Sequence, residues 1–292
     1  MNFAVFNSRS LAPKIKYLTE FFEENDLALA VISETWLIEG PILEDLKQEL
    51  SNGYGLHIIY TNRRAKKGRN TGGGVCIVFR KSQICLKQYA FSRDGCEFIA
   101  AKGKLKGDTR TFFVIGTYIP PNLTKRQQEA YKDVLHNLMS KIKIEEKEPH
   151  IILAGDTNRL DLSEVTDDFL NFNRINTPPT RAGQFLDEIY STLKNPVIKC
   201  SSQPPLQNED GGESDHLTLI CELDVPRSHV FTYVTYHARE MKKADKEQFV
   251  RAYTNINWQA ALGDVQCPDE MTKKKLHELT DRLNDLYFPM KK

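Results

Sequence analysis

The sequence lacks most of the features that would fix its class at a glance. Its six cysteines (Cys76, Cys85, Cys96, Cys200, Cys221, Cys267) are scattered, and none forms a C-x-x-C pair. That argues against a zinc site or a disulfide framework and for a reducing compartment. No apolar run approaches the length of a bilayer span. The opening stretch, MNFAVFNSRSLAPKIKYL, has no basic region leading into an apolar one, so it does not read as a secretory signal. An excess of one charge is missing too. Forty Lys and Arg against 39 Asp and Glu leave a net charge of +1, so any polyanionic partner would have to be held by a local patch. There is no internal repeat and no low-complexity tract. The expectation is an intracellular protein, with no membrane and no obligate protein partner.

What is present is an ordinary globular composition, 40% hydrophobic and 27% charged over 292 residues. That is enough for one large domain, or one domain with a small appendage. Short apolar runs predict strands at 3–6, 27–32, 75–79, 84–91, 97–105, 112–118, 151–154, 185–190 and 217–223. Helical spacing appears at Leu11, Ile15, Leu18 and Phe22, and again at Tyr131, Leu135, Leu138 and Ile142. Strands dominate and helices interrupt them irregularly, unlike the strict alternation of a doubly wound sheet. Two packed sheets with helices outside fit better. Past Leu223 the character changes to a charged segment and a last leucine-faced helix (Leu276, Leu279, Leu283, Leu286). This divides the chain into a domain at 1–224 and a partly helical connector or appendage at 225–292.

Nearly every strand ends in a residue that chemistry could use: Asn7, Glu34, Tyr118, Asp156 with Asn158, Asp187, and Asp215 with His216. Taken singly, each has a plain structural reading, because Asn and Asp after a strand are usually turn formers. An Asp-His pair can simply cap its strand. Their coincidence points elsewhere. Hard divalent cations prefer carboxylate and amide oxygens, and phosphodiester cleavage needs such a cation, a base for water and donors for developing oxyanions. Strand ends on one sheet edge lie close together, so distant residues can form one cluster. The other histidines (His57, His136, His150, His229, His237, His277) show no ligand spacing.

The motifs NSRSL (7–11), SETW (33–36), GGGV (72–75), TYIPPN (117–122), GDTN (155–158), TRAGQFLDEIYS (180–191) and SDH (214–216) stand in the order of the endonuclease/exonuclease/phosphatase superfamily. In detail the chain resembles the apurinic-type endonuclease domain of non-LTR retrotransposons, over roughly residues 1–224. The resemblance implies an α+β fold, a four-layer αββα sandwich of two mixed sheets flanked by helices. It also implies Mg²⁺, with Mn²⁺ as a substitute, bound by Glu34, Asn7 and Asp215. Asp156 would orient or deprotonate water, Asn158 would hold a phosphate oxygen, and Asp187 would pair with His216. Tyr118 would donate to the phosphate or to the leaving oxygen, while Thr180 and Ser214 would contact the scissile backbone. Two positions depart from the family: Thr157 stands where an aromatic residue is usual, and EIYST after Asp187 is less apolar than expected.

The run Arg63, Arg64, Lys66, Lys67 and Arg69 reads alone as a solvated hairpin loop. Beside a phosphodiesterase site it becomes a candidate contact to the backbone of duplex DNA. The tail resembles the connector that precedes a reverse transcriptase, yet no Y-x-D-D motif follows. The expected activity is Mg²⁺-dependent nicking of DNA, located in the nucleus if chromosomal DNA is the target. The alternatives are an inactive relic of a mobile element, or an abasic-site repair enzyme or phosphatase of the same fold.

Overall fold

A strand turns successive side chains to opposite faces, and in this chain both faces of the central strands are apolar, so both need cover. The computed structural model describes residues 1–51, 53–59, 72–105, 110–169, 172–193, 199–207 and 214–223. The elements are β1 (Asn2–Asn7), α1 (Ile15–Glu24), β2 (Leu27–Ser33), α2 (Pro41–Glu49), β3 (Tyr54–Ile59), β4 (Val75–Arg80), β5 (Ile84–Gln88) and β6 (Glu97–Leu105). There follow β7 (Phe112–Tyr118), α3 (Lys125–Glu145), β8 (His150–Asp156), α4 (Ser163–Asp167), β9 (Asn173–Arg174), β10 (Asp187–Ser191), β11 (Lys199–Gln203) and β12 (Thr218–Glu222). The basic run at 63–69 and the expected appendage at 225–292 lie outside the described residues.

The strands form two mixed six-stranded sheets, in the orders β11-β12-β1-β2-β4-β3 and β5-β6-β7-β8-β10-β9. Alternation along each strand explains the layers. On β1, Phe3 and Val5 face the second sheet, whereas Ala4 and Phe6 face outward. That outer face is covered by Ile15, Leu18, Phe21 and Phe22 of α1 and by Leu43 and Leu46 of α2. On the second sheet Phe112, Val114, Ile152 and Ala154 face inward, and Phe113, Ile115, Ile151 and Leu153 meet α3 through Val134, Leu135, Leu138 and Ile142. Each buried Val, Leu, Ile or Phe among them contributes roughly 1.5–3 kcal/mol by leaving water. The expected αββα sandwich is what forms. Among the described residues no helix is long and apolar enough to cross a membrane.

Local signals set the boundaries. Pro120 and Pro121 follow β7, and α3 opens on a capping box, Thr124 Oγ1 accepting from Gln127 N–H while Gln127 Oε1 accepts from Thr124 N–H at 2.9 Å. Five elements escaped the sequence reading: α2, β3, α4, β9 and β11. The scattered cysteines also misled, because Cys200 and Cys221 are joined by a disulfide. The β11–β12 register sets them directly opposite, with Cα atoms 4.3 Å apart, a relation that sequence spacing does not reveal.

Gly155 sits on β8 beside Asp156 with φ +144°, and a Cβ there would lie 2.0 Å from the Thr117 carbonyl oxygen. Gly155→Ala should therefore cost about 2–4 kcal/mol and lower Tm by roughly 5–15 °C. A thermal melt with Tm unchanged would contradict this account of the β7–β8 contact.

Candidate active site

Topology gathers the polar strand ends. β1 and β2 run parallel with Asn7 opposite Ser33, and β7 and β8 run parallel with Tyr118 opposite Asp156. β10 is antiparallel to β8 and pairs Asp187 with Asp156. β12 is antiparallel to β1, pairing Leu219 with Val5, which returns residues 214–217 to the same end. The inward alternation then carries polar side chains to the last positions: Phe3, Val5, Asn7; Ile152, Ala154, Asp156; Ile189, Asp187. The inter-sheet core thus ends in a polar mouth.

Two hydrogen bonds cross that mouth between the sheets. Asn7 Nδ2 donates to Asp156 Oδ2 at 2.9 Å, and His216 Nδ1 lies 2.7 Å from Asp187 Oδ2. Asp156 Oδ1 also accepts from Asn158 N–H at 3.0 Å, and Asn7 Oδ1 accepts from Arg9 N–H at 3.0 Å. Asp156 and Asp187 have no exposed surface, and Asp187 Oδ1 has no hydrogen-bond partner among the described residues. One ligand atom each from Asp156, Asp187 and His216 lies within 4.8 Å of the others.

Burial of this kind disfavours charge. The Asp156 carboxyl is held well above its ordinary value by burial first and by the Asp187 charge second, against the pull of His216, Asn7 and the Asn158 amide. For His216 burial works downward, but the Asp187 hydrogen bond and the charges of Asp187, Asp156 and Asp215 together raise it.

Glu34 is placed by a constrained loop, with φ +49° at Glu34 and +54° at Trp36. Trp36 Nε1 donates to Glu34 Oε2 at 3.2 Å, Ser8 Oγ to the Glu34 carbonyl at 3.0 Å, and Thr35 and Trp36 N–H groups to the Gly74 and Gly73 carbonyls. Gly74 N–H in turn donates to the buried Glu97 carboxylate at 2.5 Å, so a side chain from the second sheet secures the loop. Asn158, at φ +45°, donates its Nδ2 to the Ile119 carbonyl at 2.8 Å.

A cavity of about 160 Å³ is lined by Asn7, Arg9, Glu34, Pro121, Asp156, Asn158, Arg181, Asp215 and His216. Six of the sequence-derived residues therefore share one space. Four others sit differently. Asp187 is fully buried, bonded to His216, and is not among the lining residues. Tyr118 is buried in the inter-sheet core and is not among the lining residues. Thr180 is fully buried, and its Oγ1 accepts from Asp187 N–H at 3.3 Å. Ser214 Oγ accepts from His216 N–H at 3.2 Å. Thr180 and Ser214 thus hold the Asp187–His216 pair from behind. Asp215, expected on the metal side, lies between Arg181 (2.5 Å) and Arg9 (3.9 Å). The five basic residues at 63–69 lie outside the described residues.

The sequence reading missed Arg9, Arg181 and Glu97. The arginines lay inside NSRSL and TRAGQF, and Glu97 continues the inward set Glu97, Ile99, Ala101. The two departures from the family motif also resolve. Buried Thr157 donates to the Leu186 carbonyl at 3.2 Å, and Glu188, facing outward, pairs with Arg174 at 2.6 Å and accepts from the Tyr190 hydroxyl at 2.8 Å. A polar network stands where aromatic packing was expected. A larger hollow of about 390 Å³ shares Asn158 and runs to Lys132 and Asp161, but it holds neither of the paired carboxylates nor His216.

The sequence model of the Endonuclease/Exonuclease/phosphatase family matches residues 2–216. Among solved structures, the chain is similar to AP endonuclease LMAP from Leishmania major, with TM-score 0.58 and 14% identity over 77% of this chain and 88% of that one. It is similar to an AP endonuclease from Archaeoglobus fulgidus, with TM-score 0.54 and 16% identity over 77% and 100%. D. rerio TDP2 complexed with single strand DNA product follows, at 0.55 and 14% over 76% and 97%. At such identities the likeness speaks to the fold. No curated protein sequence matches the chain.

The strain on Asp156 has a signed consequence. A carboxyl raised in the folded state stabilises the fold at low pH and loses that contribution as pH rises through its folded value. Asp156→Asn has no such loss. In chelator, the Tm of Asp156→Asn minus that of wild type should grow between about pH 4 and pH 8. A flat or falling difference would refute the raised carboxyl.

Proposed function

Because the chain belongs to the Endonuclease/Exonuclease/phosphatase family, we propose that it is a metal-dependent phosphodiesterase that nicks duplex DNA and leaves a 3′-hydroxyl. The observation that carries this reading is the single cavity joining Glu34, Asn7, Asp156, Asn158 and His216 at the mouth of the core. Its donors are carboxylate and amide oxygens without a thiolate, the set a hard cation such as Mg²⁺ prefers, with Mn²⁺ as a substitute. Glu34 and Asn7 would hold the ion. When bound, it supplies charge neutralisation at the transferring phosphoryl group.

The chain's own residues would do the rest. Asp156, held above the ordinary carboxylate value by burial and the Asp187 charge, would take the proton of the attacking water while the Asn7 amide and Asn158 N–H fix its two oxygens. The Asn158 side chain holds a non-bridging phosphate oxygen. His216, drawn towards its charged form by Asp187, would face the developing negative charge, and Thr180 and Ser214 keep the pair aligned. Tyr118 stands beside Asp156 in the β7–β8 register and would donate to the phosphate or to the leaving 3′-oxygen, which takes up a proton from water as the hydroxyl forms. Arg63, Arg64, Lys66, Lys67 and Arg69 would follow the DNA backbone. Nuclear action follows if the target is chromosomal.

DNA as substrate is supported by neighbours described as AP endonucleases and as TDP2 with a single strand DNA product. The retrotransposon assignment rests on the motif series from NSRSL to SDH and on the resemblance of the tail to a connector. A second reading, repair at abasic sites, draws on the same AP endonuclease neighbours. The two part on substrate preference, since a repair enzyme would cut an abasic duplex far faster than an intact one.

With Mg²⁺ the wild type should nick supercoiled plasmid and stop on chelation. His216→Ala and Asp156→Ala should each lower the rate by about 10²–10⁴-fold. Wild-type nicking no faster than these variants, or indifferent to chelator, would defeat the proposal.

A further inference from the structure

The cavity described above is not uniformly acidic. Its inner wall is buried and carries Asn7, Asp156 and His216, while its rim carries two cations that no proposed catalytic role uses. Arg9 and Arg181 leave about half of each side chain exposed, 55% and 47%. They come from different elements. Arg9 follows β1 with φ +43° and its N–H fixed on Asn7 Oδ1. Arg181 opens a tight hairpin, bridged to Gln184 and followed by Ala182 at φ +44° and Gly183 at +77°. Both backbones are thus set by local bonding rather than by the ion pair.

Between them stands Asp215, with Oδ2 2.5 Å from Arg181 and Oδ1 3.9 Å from Arg9. One carboxylate cannot occupy ten guanidinium N–H donors, so unused donors remain on both half-exposed side chains, and the trio carries a net +1. Two guanidiniums held apart by a carboxylate match a phosphate, which accepts bidentate bonds from planar forks. A divalent cation, by contrast, would meet two like charges beside Asp215.

We propose that Arg9 and Arg181, spaced by Asp215, form a clamp for the backbone phosphate next to the scissile one, and that Asp215 serves this clamp rather than the metal. This rests on the phosphodiesterase reading of the same cavity and narrows its substrate to a chain with at least two phosphates. A phosphomonoester would fill the inner wall and leave the clamp idle.

Binding of a labelled DNA duplex, followed by fluorescence anisotropy in chelator across salt concentrations, tests the clamp without requiring cleavage. Arg9→Ala and Arg181→Ala should each weaken binding about tenfold and reduce the slope of log affinity against log salt by about one. Arg181→Lys should restore the slope, which separates a phosphate contact from misfolding. Unchanged slopes in both alanine variants would overturn the clamp. Mg²⁺-dependent cleavage of the same duplex is read separately. In that assay Asp215→Asn should leave half-saturating Mg²⁺ within about twofold of wild type, whereas a shift of tenfold or more, the size seen when support for a metal is lost, would return Asp215 to the ion and overturn its assignment. Wild type that binds with the full slope but never cleaves would remove the enzymatic reading and leave the clamp. Wild type that cleaves while both alanine variants keep its slope would do the reverse.

Discussion

Two hydrogen bonds across the end of the core, Asn7 to Asp156 and His216 to Asp187, are what the rest of this molecule is arranged to make. Each joins one sheet to the other, so each depends on the packing distance and register of both. The apolar interior behind them fixes that distance through Phe3, Val5, Ile152, Ala154 and Ile189. Gly116 shows how tight the fit is, since a Cβ there would come within 3.1 Å of Ile99, Val31 and Val75 side chains. The paired inner wall of the site thus inherits its geometry from the core, while Glu34 and Asn158 are set by constrained loops.

That placement sets charge against burial. Two carboxylates without exposed surface repel each other and lose their hydration, which disfavours ionisation of Asp156. The compensation is local and specific: an amide from Asn7, a backbone N–H from Asn158, and an imidazole drawn towards its charged form. Groups whose environments push them away from their ordinary titration, in a cavity of oxygen donors, are a recognisable arrangement for acid–base chemistry. On the rim the balance reverses, and arginines outnumber the acid between them.

Much of this was legible in the sequence, for identifiable reasons. Apolar runs ending in Asn7 and Asp156, and one beginning just after the Asp215–His216 pair, marked the strands, and a period of two puts Asp156 on the side of Ile152 and Ala154. Glu97 obeyed the same rule and was passed over because it opens a strand instead of closing one. Arg9 and Arg181 were hidden because a charged loop residue looks solvated until the fold sets another charge beside it. The Cys200–Cys221 bond, β3, β11 and α2 depend on which chain segments become neighbours, which periodicity does not encode. Thr180 and Ser214 were expected to contact the scissile backbone, whereas their hydroxyls accept from backbone N–H groups within the protein.

The pairing of His216 with Asp187 is the point on which the account stands most directly. An NMR titration of the His216 ring in the metal-free protein measures it. The account requires an imidazole that titrates above the ordinary histidine value of about 6.5, with Nδ1 protonated, and a downward shift in Asp187→Asn. A ring titrating at or below the ordinary value, unmoved by Asp187→Asn, would contradict it.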